Sequence, residues 1–177
     1  MTQGKVFAAA LLMTAAGLYA ATGGQSALAA GAKAIGAFKD WSAYFFAEKN
    51  GRVCYMHSRP NKSGGSYTKR GDAYVQVTHR VGSKTRDEVS VTAGYPYKKG
   101  SEVAMIIDGR KFSLFTDDDT AWGGDASVDA ALVTAMKAGA TMVVQGTSAR
   151  GTLTSDTYSL AGFTAAHKAI DKACDVK

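Results

Sequence analysis

Chemistry in a chain of 177 residues would have to come from a few carboxylates, imidazoles and thiols. Asp117, Asp118 and Asp119 stand in a row, with Asp125 close behind. Clustered carboxylates offer the oxygen ligands that calcium prefers, but the EF-hand spacing and its closing Glu are missing. An acidic, solvated turn accounts for them more simply. His57, His79 and His167 are single and widely separated, with no pair at the helical spacing a metal site uses. His79 and His167 fall in apolar registers, which suits core or boundary histidines. No Gly-x-Ser-x-Gly elbow accompanies any Ser-His-Asp combination. Gly64-Gly65 and Gly123-Gly124 lack the spacing of a phosphate cradle. The sequence therefore nominates no catalytic residue, no cofactor and no metal site.

The two cysteines, Cys54 and Cys174, have a simpler reading. They are far apart and not in a Cys-x-x-Cys arrangement, so a redox-active pair is disfavoured. In an exported protein two cysteines read as one structural disulfide. It would close a loop of about 120 residues, worth up to about 5 kcal/mol in the chain-entropy account.

Export is the expectation from residues 1–29. Lys5 is the only charge before an apolar run from Val6 to Ala21, and Ala27-Leu28-Ala29 supplies a small-x-small end. This is the pattern of a secretory signal peptide cleaved after Ala29. The run is too short for a retained spanning helix, which needs about 20 apolar residues, and no Cys follows it to carry a lipid. Residues 30–177 are then expected to form one domain, without a transmembrane segment. The chain has a net charge of +6, but the basic residues are scattered rather than gathered in a stripe with interleaved aromatics. A nucleic-acid partner is excluded on that ground.

The elements that would position these residues alternate with period two. Ser42 to Glu48 and Arg52 to Ser58 flank Asn50-Gly51, a hairpin signal. Pro60 to Gly71 reads as a polar loop. Ala73 to Val81 and Val89 to Ala93 alternate as half-buried strands. Val103 to Ile107 and Lys111 to Thr116 are split by Asp108-Gly109, a second hairpin turn. Met142 to Gly146 and Thr152 to Leu160 form a late pair. Two segments break the period. Ser127 to Ala138 places Val128, Ala131, Leu132, Ala135 and Met136 on one helical face. Phe163 to Cys174 does the same with Phe163, Ala166, His167, Ile170 and Cys174. A disulfide from Cys174 would pin this terminal helix to the strand carrying Cys54. The predicted fold class is mainly β: an antiparallel, immunoglobulin-like β-sandwich with one or two short helices, one of them C-terminal.

Partner contacts are expected from exposed aromatic and basic residues, because Tyr, Trp and Arg are enriched at interaction hot spots. Tyr95 and Tyr97 sit at a strand end beside Lys98 and Lys99, and Trp122 lies in a short segment before the first helix. Arg150 lies within Gly146-Thr147-Ser148-Ala149-Arg150-Gly151, where the two glycines permit a sharp reversal. Its guanidinium is expected to reach backbone carbonyls or Asp156.

Several of these strings also carry a family resemblance. Cys54-Tyr55-Met56, Gly94-Tyr95-Pro96, Ile107-Asp108-Gly109, Ala121-Trp122, Gly146 to Thr152, Asp156 to Leu160 and Gly162-Phe163-Thr164 stand ahead of a helix ending in Cys174. Together they resemble the invasion-associated locus B family of exported alphaproteobacterial envelope proteins, from Trp41 to Cys174. The resemblance implies an envelope-located β-sandwich, linked in some pathogenic members to entry into host cells. It implies no established enzymatic activity and no agreed binding residues. Members often carry a Cys after the first Trp and a further close Cys pair mid-chain. Here the first position falls among Tyr44, Phe45 and Phe46, and residues 112–124 contain no Cys, so the resemblance is to a single-bridge branch. The function expected is that of an exported, non-enzymatic envelope protein that binds a protein or cell-surface partner, in the periplasm or associated with the outer membrane or secreted. The alternative is a periplasmic housekeeping or assembly factor for the envelope.

Overall fold

The computed structural model describes residues 31–176; the leader and its cleavage point lie outside the described residues. Alternating apolar residues build a series of antiparallel hairpins. The first strands are β1 (Lys33–Phe38), β2 (Trp41–Glu48) and β3 (Gly51–Ser58). The edge strand β4 (Lys62–Gly65) follows, then β5 (Tyr74–Arg80) and β6 (Thr85–Thr92). Next come β7 (Glu102–Ile107), β8 (Arg110–Asp117) and the three-residue β9 (Thr120–Trp122). Helix α1 (Ala126–Ala138) precedes β10 (Thr141–Thr147) and β11 (Leu153–Ser159), and α2 (Phe163–Cys174) closes the order.

The strands hydrogen-bond continuously in the order β1-β2-β3-β5-β6-β9-β8-β7-β10-β11-β4. Short β9 pairs with β6 on one side and β8 on the other, so it joins two half-sheets. Their inner faces supply Trp41, Met56, Val75, Val77 and Val89 from one half and Val103, Met105, Leu114, Met142 and Tyr158 from the other, in one buried cluster. The architecture is sandwich-like and antiparallel, as period-two alternation requires of strands with one buried face. The expected mainly β, antiparallel sandwich with two helices, one of them C-terminal, is what the chain forms, its strands hydrogen-bonded continuously through β9.

The helices fill what the strands leave open. Asp125 caps α1, accepting from the backbone N–H groups of Ser127 at 2.8 Å and Val128 at 3.1 Å. That is the usual service of an Asp at this position. The buried side of α1 is Asp129, Leu132, Val133 and Met136, rotated from the predicted stripe because Asp129 is drawn in. Asp129 Oδ1 accepts the Val89 N–H of β6 at 3.2 Å. Helix α2 buries the five residues the periodicity selects: Phe163, Ala166, His167, Ile170 and Cys174. Its Phe163 ring meets the Trp41 ring edge-on at 4.9 Å, and Trp41 Nε1 donates to the Ser159 carbonyl at 3.1 Å. Cys174 is disulfide-bonded to Cys54 on β3, with Cα atoms 6.0 Å apart and 120 residues between them in sequence. Among the described residues there is no helix long and apolar enough to cross a membrane.

Two expectations follow. Replacing both Cys54 and Cys174 by Ser should lower the free energy of unfolding by about 2–5 kcal/mol, since the open chain regains the entropy of a long loop. Urea titration of the variant against the oxidised parent measures it. The second concerns Asp129, whose carboxyl is pushed up to about 6, chiefly by burial, while the Val89 N–H pulls the other way. Between about pH 4 and 6 the folded state keeps a proton that the unfolded state loses, so stability falls as pH rises through that window. Asp129→Asn keeps the Oδ1 acceptor and removes the slope. It should be more stable than the parent by about 1–2 kcal/mol near pH 7 and equal to it near pH 4, as read by urea unfolding at both pH values.

Candidate functional site

The residues singled out in the sequence separate into two places. Tyr95, Tyr97 and Arg150 come together where the segments 65–71, 94–100 and 147–153 converge. The Gly71 N–H donates to the Gly94 carbonyl at 2.9 Å, Lys98 N–H to Thr147 O at 2.9 Å, and Ala149 N–H to Pro96 O at 2.8 Å. Trp122 lies elsewhere, on β9, opposite Ser90 and Phe115.

The organiser of this loop end is an ion pair that the sequence did not disclose. Arg70 Nη1 and Nη2 donate to the two oxygens of Asp156 at 2.7 and 2.5 Å, and Nε donates to the Ala93 carbonyl at 2.6 Å. Both side chains are buried, 7% and 3% exposed. A bidentate guanidinium-carboxylate pair fixes geometry as well as charge. Burial opposes the charge on Arg70, but the bonds to Asp156 outweigh it and hold the guanidinium above its ordinary range. The Arg70 guanidinium lies over the rings of Tyr67 and Tyr95, at 5.6 and 5.1 Å. Tyr95 Oη bonds with Thr154 Oγ1 at 2.6 Å. Asp156 is therefore the partner of Arg70 and not of Arg150, whose side chain is exposed at the tip of the β10–β11 turn.

Tyr97 is also not an exposed contact. It is 6% exposed, and its ring occupies the space a Cβ on Gly146 would need, 2.5 Å away. Gly146 thus lies inside β10 as a packing site, and the chain reverses at Gly151, with φ of 83°, where glycine carries no penalty. Burial pushes the Tyr97 hydroxyl well above its usual range. The groups exposed around the organiser are Tyr67, Leu153, Lys69, Lys98, Lys99 and Arg150, with Tyr95 half-buried between them.

The acidic row has a structural use. Asp118 turns the β8–β9 hairpin with φ of 49°, Asp119 Oδ1 accepts the Thr120 hydroxyl at 2.9 Å, and Asp125 caps α1. The histidines differ. His79 and His167 are fully buried and meet in a ring with Asp87 and Asp171. Asp87 sits at a β-bulge opposite His79 with φ of 58°, a left-handed conformation uncommon for a residue with a side chain. Its N–H donates to His79 Nδ1 at 3.1 Å. His79 Nε2 meets Asp171 Oδ1 at 3.0 Å, and His167 Nε2 meets Asp87 Oδ1 at 2.6 Å. His167 Nδ1 lies 2.9 Å from Asp171 Oδ2 but makes no hydrogen bond.

The ligand atoms of His79, His167 and Asp171 lie within 4.8 Å of one another, the spread of a metal site. Donor chemistry opposes that use. A His79 that accepts at Nδ1 must, when neutral, carry its proton on Nε2, where it donates to Asp171. Burial keeps His79 on the neutral side. The Asp87 carboxyl is burdened by burial but held below its usual range by His167. The ring is a polar clamp between α2, β5 and β6.

An outward row of rings runs across the other face of β2, β3 and β5. Tyr44 stacks on Tyr55 at 5.4 Å and on His57 at 5.4 Å, and Tyr74 closes edge-on against His57 at 6.3 Å.

A folded antiparallel sheet whose C-terminal helix is cross-linked back to an early strand is the structural class, and the chain's family follows from comparison. Residues 41–171 match the family described as Invasion associated locus B (IalB) protein, and the chain belongs to that family, which is envelope-associated. Among solved structures it is similar to the crystal structure of invasion associated protein b from Bartonella henselae, with a TM-score of 0.51 and 16% identity, over 78% of this chain and 95% of that one. At that identity the likeness is one of fold. No curated protein matches the chain significantly.

The buried ion pair yields a test. Arg70→Met should cost about 3–5 kcal/mol, because Asp156 is left charged and unpaired, while Arg70→Met with Asp156→Leu should recover most of the loss. Urea unfolding of the two variants and of Asp156→Leu alone completes the cycle.

Proposed function

We propose that the chain is an exported, non-enzymatic envelope protein that binds a protein or surface partner through its loop end, in the manner the family's link to host-cell invasion indicates. The observation that carries this reading is the gathering of exposed Leu153, Tyr67, Arg150, Lys98 and Lys99 around the rigid Arg70–Asp156 pair. Leu153 is 63% exposed and Tyr67 39% exposed. Large apolar side chains beside flexible cations, set on a fixed base, are what a binding patch requires. The disulfide supports export, since such bonds persist outside the reducing cytosol.

The test uses labelled protein and two surfaces, cultured host cells and envelopes from a strain lacking the gene. Binding should saturate on host cells, and Leu153→Asp with Arg150→Glu should weaken it about tenfold or more without lowering the melting temperature. Equal binding by the variant and the parent would remove the loop end from consideration. Saturation on the envelopes alone would favour a housekeeping role in the periplasm over a host contact.

A further inference from the structure

The two buried histidines that tie α2 to the sheet can take up a proton only unequally. His167 turns both ring nitrogens to carboxylates: Nε2 lies 2.6 Å from Asp87 Oδ1, and Nδ1 lies 2.9 Å from Asp171 Oδ2. A proton on either nitrogen meets an oxygen. His79 is different. Its Nε2 lies 3.0 Å from Asp171 Oδ1, but its Nδ1 accepts the Asp87 N–H at 3.1 Å. A second proton on this ring has to go to Nδ1. There it faces a donor, and the bond from the Asp87 N–H is lost.

Charged groups reach this ring from several elements. β6 supplies Asp87 and Arg86, whose guanidinium lies 3.6 Å from Asp87 Oδ2 and 4.0 Å from Asp171 Oδ1. α2 supplies His167 and Asp171, and α1 brings Asp129 to the Val89 N–H on the strand that carries Asp87. On β3 the residue opposite His79 is the disulfide-bonded Cys54, which does not titrate. Burial holds His79 below its ordinary value, against the pull of Asp87 and Asp171. The unfolded chain takes up this proton near pH 6.5, the folded chain only at lower pH. The stability His79 contributes is therefore intact above about pH 6.5 and lost as pH falls through the folded value.

Asp87 is placed to answer that proton. It holds φ of 58° at a bulge, a conformation that persists only where the surroundings impose it. Its Oδ1 is 3.9 Å from His79 Nδ1, so a small turn of the residue carries the carboxylate onto a new Nδ1–H and away from His167 Nε2. We propose that His79 is an acid trigger for α2: protonation at Nδ1 draws Asp87 from His167 to His79 and loosens the helix from β6. The Cys54–Cys174 bridge keeps the loosened helix on β3. Acid then raises the fraction of molecules in which α2 lifts on this tether and bares its stripe of Phe163, Ala166 and Ile170.

The experiment is NMR on ¹⁵N-labelled protein with its bridge intact, between about pH 7.5 and 4.5. Long-range ¹H–¹⁵N spectra read the tautomer and titration of each of the three histidines. Hydrogen exchange reads the α2 amides of residues 167–174 against those of β10 and β11. At the upper pH His79 should be neutral with its proton on Nε2. As it takes the second proton, protection in α2 should fall about tenfold or more while β10 and β11 keep theirs. Asp129 acts with the opposite sign on the whole fold, and reading α2 against the strands separates the two. His79→Asn retains an acceptor for the Asp87 N–H and carries no charge, so in this variant α2 protection should no longer fall with pH relative to the strands. The titration of the parent decides without the variant. The proposal is overturned if neutral His79 carries its proton on Nδ1, or if His79 stays neutral down to about pH 4.5. It is equally overturned if His79 titrates without a change in α2, if α2 and the strands lose protection together, or if His79→Asn repeats the parent's pH dependence.

Discussion

The anchorage of α2 on the sheet is the constraint from which the rest of the structure follows. The helix carries its apolar stripe into the core, but it is held in register by two further devices. One is covalent, from Cys174 to Cys54. The other is the ring of His79, His167, Asp87 and Asp171, which ties α2 to β5 and β6 at once. Cys54 and His79 are direct partners across β3 and β5, so both devices act on one patch of sheet. Apolar packing alone tolerates sliding, because it is non-directional, whereas a bridge and a set of directed hydrogen bonds define one position. The strained backbone at Asp87 is the local cost of aiming a carboxylate inward.

Division of labour follows from this arrangement. At α2 the two buried histidines and the carboxylates of Asp87 and Asp171 are spent on one another. The opposite loop end uses the same strategy with different residues: one buried ion pair ties the 65–71 segment to β11 and to the Ala93 carbonyl, while the outer side chains of these loops stay exposed. Arg70 does for the loops what the disulfide does for the helix. In both cases a polar or covalent link joins segments far apart in sequence, as befits an antiparallel sheet whose neighbours are mostly non-local.

How much of this was legible in the chain depends on range. Both helices and eight strands follow from local alternation, because their apolar residues repeat with the period of the element. Three strands escaped it. β1, Lys-Ala-Ile-Gly-Ala-Phe, has its alternation broken by the bulge between Ala34 and Gly36, β4 is Lys-Ser-Gly-Gly, and β9 is too short to show a period; each is a strand because a neighbour recruits it. The two cysteines were readable as a pair because only two exist. Arg70 was not, since it lies in a polar loop whose composition gave no sign that one of its cations is buried. The His–Asp ring joins positions separated by 80 and 92 residues, and no spacing rule reaches that far. One signal was present: Asp171 follows His167 by one helical turn on the edge of a buried stripe, which places a carboxylate beside a core imidazole. Tyr97 misled because residues at strand ends are usually exposed, whereas here a glycine on β10 makes room for the ring.

The disulfide also makes a covalent circuit of the chain from Cys54 to Cys174. Every long exposed connection of the second half-sheet, and the 59–72 segment with them, lies inside that circuit. A single backbone nick anywhere within it opens the circuit but detaches nothing: the two pieces remain one molecule until the bridge is reduced. In an oxidising compartment shared with proteases, such a protein can be clipped and still keep its mass, its partners across the sheet and its place.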